Sequence, residues 1–369
     1  MEKKGYLLLA DGQLYEGVLR GAVKDASGEA VFLTSVVGYM DTLTDPAYAG
    51  QIVVQTFPQI GNYGVVPVAE DAAKPCLSGY VCRALCDTPS NFRCQGTLND
   101  YLEANGIPCL TGVDTRAITR RLRDKGAMPA AILTEKPEDV AAAAAQLTLA
   151  KADLAATSVQ ETVPAAKEGK YNVVLWDLGA KADTLQQLES RGCAVTVVPA
   201  NIKAEQVLAL DADGVVITAG AGNPADYEAI ANEIREVAGK RIPMFAIGLG
   251  HQLLAMSQGA DTAKLPYGHR GGNQPIEDVK TGLCYITSQN HGYEVDKETL
   301  PGNASLRFVN RNDGSCEGID YMDMPAFSVQ FQPAMTGGLY QAANVASKIG
   351  THFLFDRFIA LMGGNKECR

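Results

Sequence analysis

The stretch Pro243–Gln258, PMFAIGLGHQLLAMSQ, decides how the C-terminal half of this chain folds. Ile242, Met244, Phe245 and Ile247 make an apolar run of strand character, which Gly248-Leu249-Gly250 stops. An amphipathic helix follows at once, with Leu253, Leu254 and Met256 able to face inward. A strand, a sharp turn and a helix form a nucleophile elbow. The residue at its tip is forced towards φ > 0 and shown to a pocket, beside the N–H groups that open the helix. Here that residue is Gly248, which has no side chain to show.

Outward from the elbow, Asn172–Asp177, Ala194–Pro199, Gly214–Thr218 and Ile242–Ile247 are four apolar strands. Helical patterns over 184–191, 203–210, 226–238 and 250–257 flank them. Strands without polar alternation, separated by helices, predict a parallel sheet covered on both faces. Ligands in such folds lie beyond the carboxyl ends of the strands, where Thr218–Pro224 and the elbow both fall. From Leu283 to Gln332 the chain reads as shorter β segments, and 339–362 as helix.

Residues 1–150 read as a separate, mixed β/α domain, 151–170 as a linker, and 171–369 as the α/β domain. In the first domain, Tyr6–Ala10, Gln13–Leu19, Ala30–Leu33, Gln51–Thr56 and Gly79–Leu85 are expected strands, with Asp-Gly and Ser-Gly turns among them. Leu98–Ala104 is an expected helix, and 138–147 an alanine-rich one. Asp114 caps a further helix, Thr115–Lys125, closed by Gly126. Its Arg116, Arg120, Arg121, Arg123 and Lys125 form either a solvated face or a contact surface for an acidic partner.

Two domains suit 369 residues, and 46% hydrophobic content is enough for two cores. A net charge of −10 argues against a nucleic-acid partner, since phosphate binding needs clustered positive charge. No apolar run approaches the roughly 20 residues that span a bilayer. The opening run Tyr6–Ala10 is too short for a signal peptide. Nine scattered cysteines, an odd number, suit reduced thiols in a cytoplasmic protein. Cys82 and Cys86 lack the further Cys/His pair that a zinc site needs, so no metal is expected.

The elbow followed by Gln252, the loop Thr218–Pro224, Tyr267–Asn273 and Gln289-Asn290-His291-Gly292 resemble a class I, triad-type glutamine amidotransferase domain. In the N-terminal half, Gly38-Tyr39, Leu43-Thr44-Asp45-Pro46, Gly61-Asn62-Tyr63-Gly64, Ser90-Asn91-Phe92-Arg93 and Val113-Asp114-Thr115-Arg116 are similar to the small subunit of carbamoyl-phosphate synthetase. The likeness runs from near residue 5 to about 330, with a weaker match at Leu354–Phe358. It implies a protein that hydrolyses glutamine and passes ammonia to a large, ATP-using subunit making carbamoyl phosphate for pyrimidines and arginine. Such hydrolysis uses a cysteine at the elbow, a histidine that activates it and a glutamate that orients the histidine.

Set against that pattern, the family's G-x-C-x-G-H-Q stands here as Ala246–Gln252, with Gly248 at the cysteine position. The family's G-H-P-E aligns with Phe331-Gln332-Pro333-Ala334, so Gln332 and Ala334 replace base and orienter. Gln332 cannot take a proton near neutral pH, and Ala334 cannot hold an imidazole. The resemblance makes Gly220 and Leu249 the oxyanion donors. It makes Ala47, Gly220, Gly222, Leu249, Gln252, Asn290, Gly292 and Tyr293 the remnant of the glutamine pocket, although these glycines and asparagine equally serve as ordinary turn residues. Ala47 lacks the family's serine hydroxyl, and Ala221 and Asn223 replace a proline and an aspartate. His251, His291, Cys284 and Cys316 are the spare candidates for a rerouted dyad, each also readable as structural.

The expectation is therefore a non-hydrolysing small subunit, scaffold or regulator for a large subunit that uses free ammonia. ATP and Mg would belong to that large subunit, with no cofactor in this chain, and glutamine would bind weakly if at all. Two alternatives stay open: a glutaminase working through a different nucleophile, and a glutamine-binding protein without chemistry.

Overall fold

The computed structural model describes residues 3–66, 74–149, 151–334 and 350–367, with 365–367 described by their backbone only. By contact the chain divides into two units: Met1–Ala152 with Pro266–Arg270, and Asp153–Leu265 with Gly271–Arg369.

The first unit carries β1 Lys4–Leu9, β2 Leu14–Gly21, β3 Ala26–Leu33, β4 Gln51–Gln55, β5 Gln59–Ile60, β6 Gly79–Val81, β7 Ala84–Leu85, β8 Pro108–Thr111 and β9 Met128–Leu133. Its helices are α1 Tyr39–Leu43, α2 Leu98–Ala104, α3 Thr115–Lys125 and α4 Val140–Ala145. Seven of these strands close into a barrel in the order β1-β2-β8-β6-β4-β3-β9. Leu7, Leu9, Ile52, Val54, Val81, Leu110 and Ile132 join one apolar cluster; Val31, Val53, Tyr80 and Cys109, the alternate positions of several strands, join a second. The expected strand 79–85 is two short ones, and β8 and β9 lie outside the expected set. β8 is only four residues long, and Met128–Leu133 holds a proline and two alanines, so neither carries a period-two signal.

Helix α3 has the predicted ends. Asp114 Oδ1 accepts from Ala117 N at 3.0 Å, and Gly126 follows with φ 92°. Its basic side chains are partly paired: Arg121 and Lys125 reach Asp11 at 2.5 and 3.3 Å, and Arg123 reaches Asp124.

The second unit carries β10 Tyr171–Trp176, β11 Cys193–Val198, β12 Gly214–Ile217, β13 Met244–Ile247, β14 Thr262–Asp278, β15 Cys284–Val295, β16 Ala304–Asn310, β17 Cys316–Tyr321 and β18 Ala326–Val329. Its helices are α5 Ala182–Glu189, α6 Ala204–Leu208, α7 Glu228–Ala238, α8 Leu249–Ser257 and α9 Phe353–Glu367. One sheet takes them in the order β11-β10-β12-β13-β18-β17-β16-β14-β15. β11, β10, β12 and β13 are parallel, as the strand–helix alternation predicts; β18, from the stretch read only as short β segments, also pairs parallel with β13, and the pairings from β18 through β17 and β16 to β14 are antiparallel. The change of sense follows the loss of intervening helices after α8: without a crossover, successive strands can pair only antiparallel.

Both faces of the parallel part are buried. Val174, Trp176, Val215, Ile217, Met244 and Ala246 pack on one side; Val173, Leu175, Val216, Phe245 and Ile247 pack on the other. α9 closes the second face, with the Phe355 ring edge-on to Phe245 at 5.5 Å. The linker stretch holds a 3-10 turn at Leu154–Ala156 and a bridge from Val163 to Val197. Of the expected helix 339–362, residues 339–349 lie outside the described residues.

Candidate functional site

Gly248 stands between β13 and α8 with φ 58° and ψ −117°, a conformation that strains a residue with a Cβ. Its N–H donates to Val329 O at 2.9 Å, and Gly250 N donates to Thr218 O at 3.1 Å. These two bonds tie the turn to β18 on one side and to the loop after β12 on the other. A Cβ at Gly248 would lie 2.8 Å from Ala219 Cβ. One at Gly220 would lie 2.4 Å from Leu178 O, so that position too needs glycine for close approach rather than for its dihedrals. Neither Gly220 N–H nor Leu249 N–H donates a hydrogen bond among the described residues.

The loop that carries Gly220 is pinned by its own Thr218 and by Asp177, to which no sequence motif gave a role. Thr218 Oγ1 accepts from Leu178 N at 2.9 Å and donates to Ala219 O at 3.1 Å. Asp177 Oδ1 accepts from Gly179 N and Ala180 N, and its Oδ2 from Val159 N. An aspartate closing a strand is the available signal, because a buried carboxylate has to take neighbouring backbone donors.

Gln252, in the first turn of α8, donates through Nε2 to Tyr293 O at 2.7 Å and to Gln330 Oε1 at 2.8 Å. The structure thus joins Gln252 to the Asn290–Tyr293 stretch of β15, and adds Gln330, which sequence reasoning does not single out. Gln332 and Ala334 are both buried, and Gln332 N donates to Ser288 O at 2.9 Å. Ala47 lies in the first unit, in a 3-10 turn capped by Asp45, whose Oδ1 accepts from Ala47 N at 3.0 Å.

The spare histidines have other occupations. His251 is fully buried, its Nδ1 paired with Ser328 Oγ at 2.8 Å. Burial, which outweighs the opposing pull of the Glu317 carboxylate, holds its pKa down to about 3, so the ring is neutral. His291 sits between Tyr293 O at 2.9 Å and Gln289 Oε1 at 3.1 Å, with the buried Glu317 carboxylate 3.7 Å away. Cys316 is buried, and desolvation raises its thiol far above the usual range; Cys284 is exposed. Among the described residues no histidine hydrogen-bonds a thiol.

Chemically, two backbone donors remain beside a turn that offers no nucleophile.

Comparison with known proteins places the fold and this turn in one family. The carbamoyl-phosphate synthase small-chain CPSase domain matches residues 7–132, and class I glutamine amidotransferase matches residues 174–349. The "Carbamoyl phosphate synthase small chain" of Symbiobacterium thermophilum is 42% identical over 362 residues, 96% of this chain and 97% of that one. The chain belongs to the carbamoyl-phosphate synthase small-chain family. Small chains of Fusobacterium nucleatum and Staphylococcus epidermidis are 42% and 40% identical, covering 98% and 100% of this chain and 99% and 98% of their own. Among solved structures, a glutamine amidotransferase from Thermotoga maritima matches with TM-score 0.38 and 20% identity, over 52% of this chain and 93% of that one. In this small-chain family member the amidotransferase match falls in the second unit, apart from Pro266–Arg270. No helix among the described residues is long and apolar enough to cross a membrane.

Proposed function

We propose that this chain is a carbamoyl-phosphate synthase small subunit that does not hydrolyse glutamine. It serves as scaffold or regulatory partner for a large subunit that takes free ammonia and binds the ATP and Mg itself, in the cytoplasmic supply of carbamoyl phosphate to pyrimidines and arginine. The observation that carries the reading is the turn at Gly248. The fold that would present a nucleophile is complete, and its tip bears no side chain. The absence of any thiol–histidine hydrogen bond among the described residues supports it, as do Gln332 and Ala334 where the family pattern has a base and its orienter. The relatives' printed name, small chain, supports a large-chain partner.

The test is co-expression with a large synthase subunit from the same source. Copurification with ammonia-supported carbamoyl phosphate synthesis, and no synthesis from glutamine alone, is the expected result. Glutamine-supported synthesis, or glutamate release by the purified small chain that a thiol-blocking reagent stops, overturns the reading in favour of a different nucleophile.

One second reading has an observation behind it. The N–H groups of Gly220 and Leu249, without an acceptor among the described residues, together with the Gln252–Tyr293 pair, would suit a carbonyl group held without chemistry. Calorimetric titration with glutamine gives heat if the remnant pocket binds and none if it does not.

A further inference from the structure

The first unit holds a buried arginine whose hydrogen bonding is incomplete. Arg270 ends the Pro266–Arg270 segment of β14 and is 6% exposed. Its Nη1 donates to Tyr267 O at 2.6 Å. Its Nε and Nη2 are closed to solvent and meet no acceptor among the described residues. These two N–H groups lie along one edge of the planar guanidinium. They form the fork that takes both oxygens of a carboxylate side-on.

The titratable groups acting on this guanidinium are the buried phenol of Tyr48 and the half-buried carboxylate of Glu29; neither hydrogen-bonds it. Asp45 acts on Tyr48 in turn, with one carboxylate oxygen held by Ala47 N. Arginine keeps its proton in such a place, because its intrinsic pKa lies far above neutrality. A buried cation with two unmet donors is costly, and in native proteins such groups answer to an ion, a water or a role.

We propose that the Nε/Nη2 edge of Arg270 is a binding site for a small planar monoanion of the carboxylate class, of the size of formate or bicarbonate. The parallel donors select two coplanar oxygens. The closed surroundings select a small ligand that enters as the unit opens locally. The single positive charge, already acted on by Glu29, favours a monoanion over a dianion. This site is independent of the glutamine reading, since none of the residues it names belongs to the elbow.

The test titrates the full chain with sodium formate and, separately, sodium bicarbonate, against chloride at equal ionic strength, by calorimetry and thermal unfolding. Saturable binding and a rise in Tm specific to the carboxylate-type anions are expected. Arg270→Lys keeps the charge and loses the fork, so affinity falls at least about tenfold. Glu29→Gln removes the competing carboxylate from a half-buried position and strengthens the response. A wild-type response to formate no larger than to chloride overturns the site even if Arg270→Lys fails to fold. Equal affinity in a folded Arg270→Lys variant, or an unchanged or weakened response in Glu29→Gln, places the anion elsewhere and overturns it too.

Discussion

Adding one methyl group at Gly248 tests the geometry of the elbow without touching chemistry. With φ 58° and ψ −117°, a residue with a Cβ is held in a region that costs about 1–3 kcal/mol. The new Cβ would also lie 2.8 Å from Ala219 Cβ and 3.2 Å from Ala219 Cα. Ala219 cannot swing away as a long side chain would, because it is flanked by Thr218 and the closely packed Gly220. Overpacking of this kind adds roughly 1–3 kcal/mol. Gly248→Ala should therefore destabilise the second unit by about 2–6 kcal/mol, and Gly248→Cys by a similar amount. For a unit near 200 residues that corresponds to a fall in Tm of roughly 4–24 °C. Gly272→Ala is the control: that glycine has an ordinary φ and no atom within 4 Å of the added Cβ, so its change stays within about 0.5 kcal/mol. Scanning calorimetry on both variants reads the transition of the second unit directly. A Gly248→Ala protein melting within a degree of the parent would refute the reasoning, because the turn would then not hold the dihedrals on which the elbow reading rests.

Three further outcomes rest on the same structure. His251 is held neutral in the fold, with its pKa down at about 3 against about 6.5 unfolded, so the unfolded chain binds more protons below that value. Stability from this group is complete above pH ~6.5 and declines as pH falls towards 3, by about 2 kcal/mol at pH 5; urea titrations from pH 7.5 to 5 should show this slope, and His251→Asn should flatten it. Asp320 accepts from Lys280 Nζ and Arg357 Nη1, both at 2.7 Å. Burial alone would raise its carboxyl, but the bonds from Arg357 and Lys280 prevail and hold it below the ordinary carboxylate range. Its contribution is therefore present above the unfolded carboxylate pKa and lost on acidification; at pH 7 Asp320→Ala should cost roughly 1–3 kcal/mol in urea unfolding, and an unchanged midpoint would count against that role. Asp114→Ala removes the cap on Ala117 N, and a loss of about 1 kcal/mol in the first unit is expected, whereas Asp114→Ser should keep most of it.

Much of this protein is legible from its residues because the signals are local. The parallel strands around Val174, Val216 and Phe245 are apolar on both faces, and that pattern has one common solution, a sheet between helices. The ends of α3 are legible for the same reason, since Asp114 and Gly126 act within one turn of themselves. The bare tip at Gly248 needs no coordinates, because a missing side chain is a fact of sequence.

What tertiary structure alone decided is who faces whom. Closure of the barrel depends on pairing β1 with β9, two strands more than a hundred residues apart whose register no local period encodes. The pairing of His251 with Ser328 and of Gln252 with Gln330 came from the same source, as did the unmet fork of Arg270. A side chain's partner, and so its charge and its availability for chemistry, is set by packing across the sheet, where separation along the chain carries no weight. Residue identity limits which groups could react; the fold determines which of them meet.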